Sequence, residues 1–113
     1  MWQILQTEEF ENWNLNLPES VKEDVFANTR VLSVHGPSLG RPRVCTIKNS
    51  NHKNMKELRV QSSGNPYRIF FAFDPERRAI LLIGGNKKGD KRFYDKYIPL
   101  ADKLLDQYLE GLK

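Results

Sequence analysis

The 113-residue chain has one cysteine, two histidines, two methionines and no apolar run of membrane length. Each scarcity excludes something. Cys45 has no partner for an internal disulfide, and a reducing cytosol is the expected setting. A lone cysteine with two separated histidines argues against a four-ligand zinc site of the usual kind. Apolar runs such as Ala79–Ile83 fall far short of the roughly 18 residues a membrane span needs. Met1–Leu5 carries no basic segment and meets Glu8-Glu9 almost at once, which argues against a signal peptide. There is no Gly-x-Ser-x-Gly, no Walker-type phosphate loop and no carboxylate cluster suited to magnesium. No cofactor and no metal are expected.

What is present fits one globular domain spanning 1–113, with 39% hydrophobic and 28% charged residues. The net charge is +4, but it is unevenly spread. Residues 1–34 hold 2 basic and 6 acidic groups, whereas residues 35–99 hold 14 basic and 5 acidic. Residues 100–113 hold 2 basic and 3 acidic. A basic middle between acidic ends suggests a local anion-binding face.

The pattern predicts the order β-α-α-β-β-β-β-α. Residues 2–6 form a first strand, and Thr7 caps a short helix with Glu8 and Glu9 in its first turn. Pro18 and the capping box Ser20-Val21-Lys22-Glu23 open a second helix, with Val21, Val25 and Leu32 on one stripe and Phe26 beside it. Gly36-Pro37 ends it. Val44–Lys48, Met55–Gln61, Tyr67–Phe73 and Ala79–Ile83 read as strands. The third of these is a continuous aromatic and β-branched run suited to burial on both faces. Gly84-Gly85 either ends the last strand or lets backbone approach a ligand closely. Ala101, Leu104, Leu105, Tyr108, Leu109 and Leu112 make a helical stripe, with Asp102, Lys103, Asp106 and Glu110 facing away. Pro99 is either that helix's first turn or a kink in a longer helix starting near Asp90. The expectation is an α+β domain, a small antiparallel sheet with helices over one face and the other face open to a partner.

The cations sort onto neighbouring strand ends. Arg59 and Arg68 lie on consecutive strands, Lys87 and Lys88 follow the last one, and Lys91, Arg92 and Lys96 come shortly after. Tyr67, Tyr94 and Tyr97 are interleaved with them, the combination single-stranded nucleic acid requires. Arg68 stands out because it interrupts an apolar strand, and a buried cation needs an anion, here Asp74, Glu57 or a phosphate. The plainer readings are a solvated face for the other cations, an ion pair between Arg59 and Glu57, core roles for Phe93, Tyr97 and Tyr108, and incidental positions for His35 and His52. Cys45 reads as a small buried hydrophobe. A nuclease built from these residues would be metal-independent and would cleave RNA, whose 2′-hydroxyl supplies the nucleophile.

Three ordered segments resemble the RelE/ParE toxin superfamily, and more narrowly its HigB-like, phage-associated branch. They are Met55-Lys56-Glu57-Leu58-Arg59, Tyr67-Arg68-Ile69-Phe70-Phe71-Ala72-Phe73-Asp74 and Leu81-Leu82-Ile83-Gly84-Gly85-Asn86-Lys87-Lys88. Gly40-Arg41-Pro42 and residues 94–102 are similar to that branch too. The resemblance implies a RelE-like fold and a toxin of a type II toxin–antitoxin pair that cleaves mRNA in the ribosomal A site. It implies a catalytic set of Arg68, Lys88 or Lys87, Arg59 and Tyr94. Glu57, Lys56 and Lys88 are the candidates for general base, because Glu57 stands where some relatives carry a lysine. Lys56, Lys91, Arg92, Lys96, Arg41 and Arg43 would bind RNA. The implied partners are mRNA on the ribosome and a helix-turn-helix, HigA-like antitoxin, with no membrane. The rival readings are a ParE-like poison of DNA gyrase and a non-toxic prophage RNA-binding module.

Overall fold

A computed structural model describes residues 1–112, so Lys113 lies outside the described residues. The chain runs β1 (Gln3–Gln6), α1 (Glu8–Leu15), α2 (Glu19–His35), a 3₁₀ turn (Gly36–Ser38), β2 (Val44–Thr46), β3 (Lys56–Ser62), β4 (Asn65–Phe73), β5 (Arg78–Asn86) and α3 (Phe93–Gly111). The expected α+β order is realised. The five strands form one sheet in the order β1-β5-β4-β3-β2. The β3–β4–β5 meander and the β2–β3 pair are antiparallel. β1 departs from that expectation and pairs parallel to β5. It reaches the β5 edge from the chain start, with no local turn to impose an antiparallel partner.

Helices cover both faces, not one. Val44, Leu58, Val60, Tyr67, Ile69 and Phe71 pack with Phe10, Val21, Val25 and Leu32 of α1 and α2. The alternate positions Phe70, Ala72, Ile80 and Leu82 pack with Phe93, Ile98, Ala101, Leu104 and Leu105 of α3. Side chains of a strand alternate between faces, so the unbroken apolar run of β4 requires a cover on each side. Full burial of each large apolar side chain contributes about 1.5–3 kcal/mol. Phe26, expected beside the α2 stripe, is 64% exposed.

Local signals hold in part. The Thr7 hydroxyl accepts from the Phe10 amide at 2.9 Å and donates to the Leu82 carbonyl, capping α1 and tying it to β5. The expected Ser20 capping box is not formed. α2 starts two residues earlier, at Glu19 with Pro18 as its N-cap, and the Val21 and Lys22 amides donate to the Pro18 carbonyl. Gly36 ends α2 at φ +55°, pressed against the Trp2 ring. Gly84 and Gly85 do not end β5. They continue it, with the Trp13 ring against Gly84 and Phe93 and Tyr97 against Gly85. α3 begins at Phe93 and carries Pro99 inside. No described helix is long and apolar enough to cross a membrane.

Candidate functional site

Strand alternation decides which cations can act together. Leu58 and Val60 face α1 and α2, so Glu57 and Arg59 point to the α3 face of β3. On β4, Arg68 shares its face with Phe70 and Ala72. Arg59 and Arg68 are register partners, and Gly85 is the partner of Arg68 on its other side. Gly85 has no side chain to bring to this face, and Tyr97 and Phe93 fill the space above it.

Glu57 joins the group together. It is 2% exposed and uses both carboxylate oxygens. Oε2 accepts from Arg59 Nε at 3.1 Å, and Oε1 accepts from the Tyr94 hydroxyl at 2.8 Å. Arg68 Nε stands 3.9 Å from Oε1, an ion pair without a hydrogen bond. The anion paired with Arg68 is therefore Glu57, while Asp74 is taken by Arg78 and Tyr108. Arg68 Nε is buried and has no hydrogen-bond partner among the described residues, although its Nη1 donates to the Tyr67 carbonyl. A buried, charged donor in that state favours an incoming oxyanion.

The electrostatics follow from this contact set. Burial lowers the Arg59 pKa, but the hydrogen bond to Glu57 and the surrounding charge outweigh it, and the net shift is upward. Burial raises the Tyr94 phenol, and its bond to Glu57 raises it further. Tyr94 is thus a protonated donor at neutral pH, with its proton directed at Glu57. Lys87 Nζ lies 5.0 Å from the centre of the Tyr94 ring, a cation–π contact beside the cluster.

Two concavities flank Arg59. One, of about 490 Å³, is lined by Asn28, Pro42, Arg43, Arg59, Gln61 and Arg68. The second, of about 250 Å³, runs between the end of β2 and α3, from Arg41, Arg59, Glu57 and Tyr94 to Ile47, Asn49 and Ile98. The α3 wall is one stripe at four-residue spacing. Tyr94 binds Glu57, Ile98 lines the slot, Asp102 binds Ser50 Oγ and the Asn51 amide, and Asp106 binds His52. Asp102 was expected to face away; it is buried at 6% because these loop donors satisfy it.

Of the expected site residues, Arg68, Arg59, Glu57 and Tyr94 form one contact set, with Lys87 against Tyr94. Arg41 and Arg43 line the flanking concavities. Lys88, Lys91 and Arg92 are exposed on the turn between β5 and α3, and Lys96 is ion-paired with Asp90 at 2.6 Å. Lys56 is not brought to the cluster. It lies one residue before Glu57, on the opposite face, and its ammonium donates to Thr46 Oγ1. Sequence reasoning missed the slot residues Asn49 and Ile98 and the clamp at Asp102. The one available signal was a carboxylate beside Ala101 in an apolar stripe. Among the described residues, no three of His, Cys, Asp and Glu gather in a way that could hold a metal ion.

Comparison with known proteins adds three findings. The family model described as "Phage derived protein Gp49-like" matches residues 12–106. Two Mycobacterium tuberculosis proteins named as toxins are similar in sequence. HigB2 is 48% identical over 99 residues, 86% of this chain, and the chain spans about half (49%) of its length. HigB3 is 42% identical over 107 residues, 94% of this chain and 92% of its own. The structure of the Escherichia coli RelBE toxin–antitoxin complex contains a chain matching at a TM-score of 0.58 with 13% identity, covering 75% of this chain and 95% of that one. That last likeness concerns the fold alone.

Proposed function

The chain belongs to the phage-derived Gp49-like family, within the HigB-like branch of the RelE/ParE toxins, and we propose that it is a toxin acting as a ribosome-dependent mRNA endonuclease. The observation that carries this reading is the Arg59–Arg68 pair, set on one face and oriented by a buried carboxylate. In the proposed reaction, Arg68 and Arg59 hold the scissile phosphate and take up the charge that develops as it becomes five-coordinate. The 2′-oxygen forms a bond to phosphorus as its proton passes to a base. The bond to the 5′-oxygen breaks and that oxygen receives a proton, leaving a 2′,3′-cyclic phosphate and a 5′-hydroxyl.

The geometry narrows the acid–base roles. Glu57 is enclosed and has both oxygens engaged, so it positions Arg59 and Tyr94. Lys56 lies on the wrong face. Proton transfer falls to the lysines of the turn after β5, exposed Lys88 and Lys87 beside Tyr94. The proposed setting is the cytoplasm, with mRNA in the ribosomal A site as substrate. An antitoxin is the proposed protein partner, in keeping with the toxin–antitoxin complex among the fold neighbours; its helix-turn-helix type rests on the resemblance to the HigB-like branch.

The test is induction in cells followed by mapping of new mRNA 5′ ends. The wild type should arrest growth and leave codon-spaced cuts. Arg68→Ala should do neither, while remaining folded and still binding the antitoxin. Full toxicity of that variant would overturn the site, and a DNA-damage response without cuts would replace the reaction by gyrase poisoning.

A further inference from the structure

The slot between β2 and α3 differs in chemistry from the concavity beside it. Arg43, Arg59 and Arg68 make the larger concavity cationic, a place for phosphate oxygens. The slot opens on the same Arg59 and is lined too by the exposed Arg41, Thr46 and Lys48, but three of its lining residues, Cys45, Ile47 and Ile98, are buried and apolar, beside Tyr94, Glu57 and Asn49. An RNA strand has the matching alternation, with a charged phosphodiester beside an apolar, flat base whose edge needs hydrogen bonds. Arg59 separates the two compartments as a phosphate and its own nucleotide's base are separated.

Two further observations set Asn49 apart from an ordinary loop residue. It is exposed and lines the slot, and among the described residues no hydrogen bond engages its side-chain amide. The loop it enters is nonetheless fixed: Asp102 holds Ser50 Oγ and the Asn51 amide, the His52 amide donates to Ser50 Oγ, and the His52 ring meets Asp106 at 2.7 Å. A free amide on a pinned loop carries both a donor and an acceptor at a defined place, the requirement for reading a base edge.

We infer that this slot receives the nucleobase adjoining the phosphate held by Arg59 and Arg68, and that Asn49 and Ile98 set the base preference at that one position. The inference rests on the RNA-cleaving reading above and names its specificity pocket. Asn49 reads the edge of the base, and Ile98 with Ile47 bounds its flat faces.

The experiment is the same mapping of mRNA 5′ ends in cells, for wild type, Asn49→Ala and Ile98→Phe. Asn49 is exposed and unbonded, so its truncation leaves the fold intact; Ile98→Phe narrows the slot by an independent route. Wild type should show a base preference at a fixed position beside the cut. Both variants should change that preference by roughly tenfold, the size of one base-edge contact, while preferences elsewhere stay the same. Cuts with an unchanged base profile in both variants overturn the pocket and leave the nuclease reading standing. A wild type that makes no cuts overturns the nuclease reading itself, and the pocket with it.

Discussion

Arg59 and Arg68 stand directly opposite each other in the β3–β4 register, two cations where neighbouring strands place side chains closest. Like charges in that position repel. Glu57, two residues before Arg59 on the same face, offsets part of that repulsion, with a hydrogen bond to Arg59 and an ion pair to Arg68. One carboxylate for two guanidinium groups leaves a net positive charge. The pair is therefore held in the free protein with positive charge to spare.

Replacing Glu57 should reveal that balance. Glu57→Gln keeps an acceptor but removes the charge, and stability should fall by about 1–3 kcal/mol in urea unfolding. Inorganic phosphate should restore more of the loss in Glu57→Gln than it adds to the wild type, because the anion substitutes for the missing charge. A lack of phosphate stabilisation in both proteins would show that the arginines do not form an anion site.

Arg68→Lys should be nearly as damaging to cleavage as Arg68→Ala. The Arg68 Nη1 is spent on the Tyr67 carbonyl and Nε is the unpaired buried donor, so the group works as a fork with separate assignments. An ammonium has one charge centre and cannot serve both. Cleavage measured on translating ribosomes should drop by about tenfold or more. Retention of wild-type cleavage by Arg68→Lys would reduce Arg68 to a point charge.

Gly84→Ala and Gly85→Ala should destabilise the fold. A Cβ on Gly84 would lie 2.3 Å from Trp13 Cζ3, and one on Gly85 2.7 Å from Tyr97 Cζ. Both rings are held in packed clusters, so relief requires moving a helix, at a cost of about 1–3 kcal/mol for each substitution. Thermal unfolding of the two variants checks this. Trp13→Leu should recover part of the loss in Gly84→Ala and none in Gly85→Ala, since the two glycines face opposite sides of the sheet.

These glycines also mark where reading the sequence stops. Thr7, Arg68 and the apolar β4 run carry local signals whose meaning does not depend on distant residues, and each behaves as its chemistry requires. The β4 run is suited to burial on both faces, yet the expected fold leaves one face open, because helix patterns do not state which face each helix takes. Gly84-Gly85 reads as a strand end because the rings that replace its side chains come from residues 13, 93 and 97. Asp102 reads as solvent-facing because its partners at Ser50 and Asn51 lie about fifty positions earlier. In the candidate site, Arg59, Arg68, Glu57 and Tyr94 were legible as residue types, but only strand alternation separates them from Lys56.

At the opposite end of α3, Asp74 collects the Tyr108 hydroxyl at 2.7 Å, Arg78 Nε at 2.6 Å and the amides of Glu76 and Arg78, fixing the β4–β5 turn to the helix. Burial pushes the Asp74 pKa up, but these donors overcome it and hold the carboxyl below its ordinary value. Burial and the bond to Asp74 push Tyr108 up to about 12. A depressed carboxyl contributes stability that is present above its unfolded pKa of about 4 and is lost as pH falls through the folded value. A raised phenol contributes stability that is present below about 10 and is lost as pH climbs toward its folded value. Tyr108→Phe should therefore cost about 1–2 kcal/mol on a plateau between those limits. The gap between wild type and variant should shrink at pH 3 and again at pH 11 or above. Urea unfolding of both proteins at pH 3, 7 and 11 measures the gap. No gap at pH 7 would mean that Tyr108 stabilises through its ring alone, and that the Asp74 bond contributes nothing.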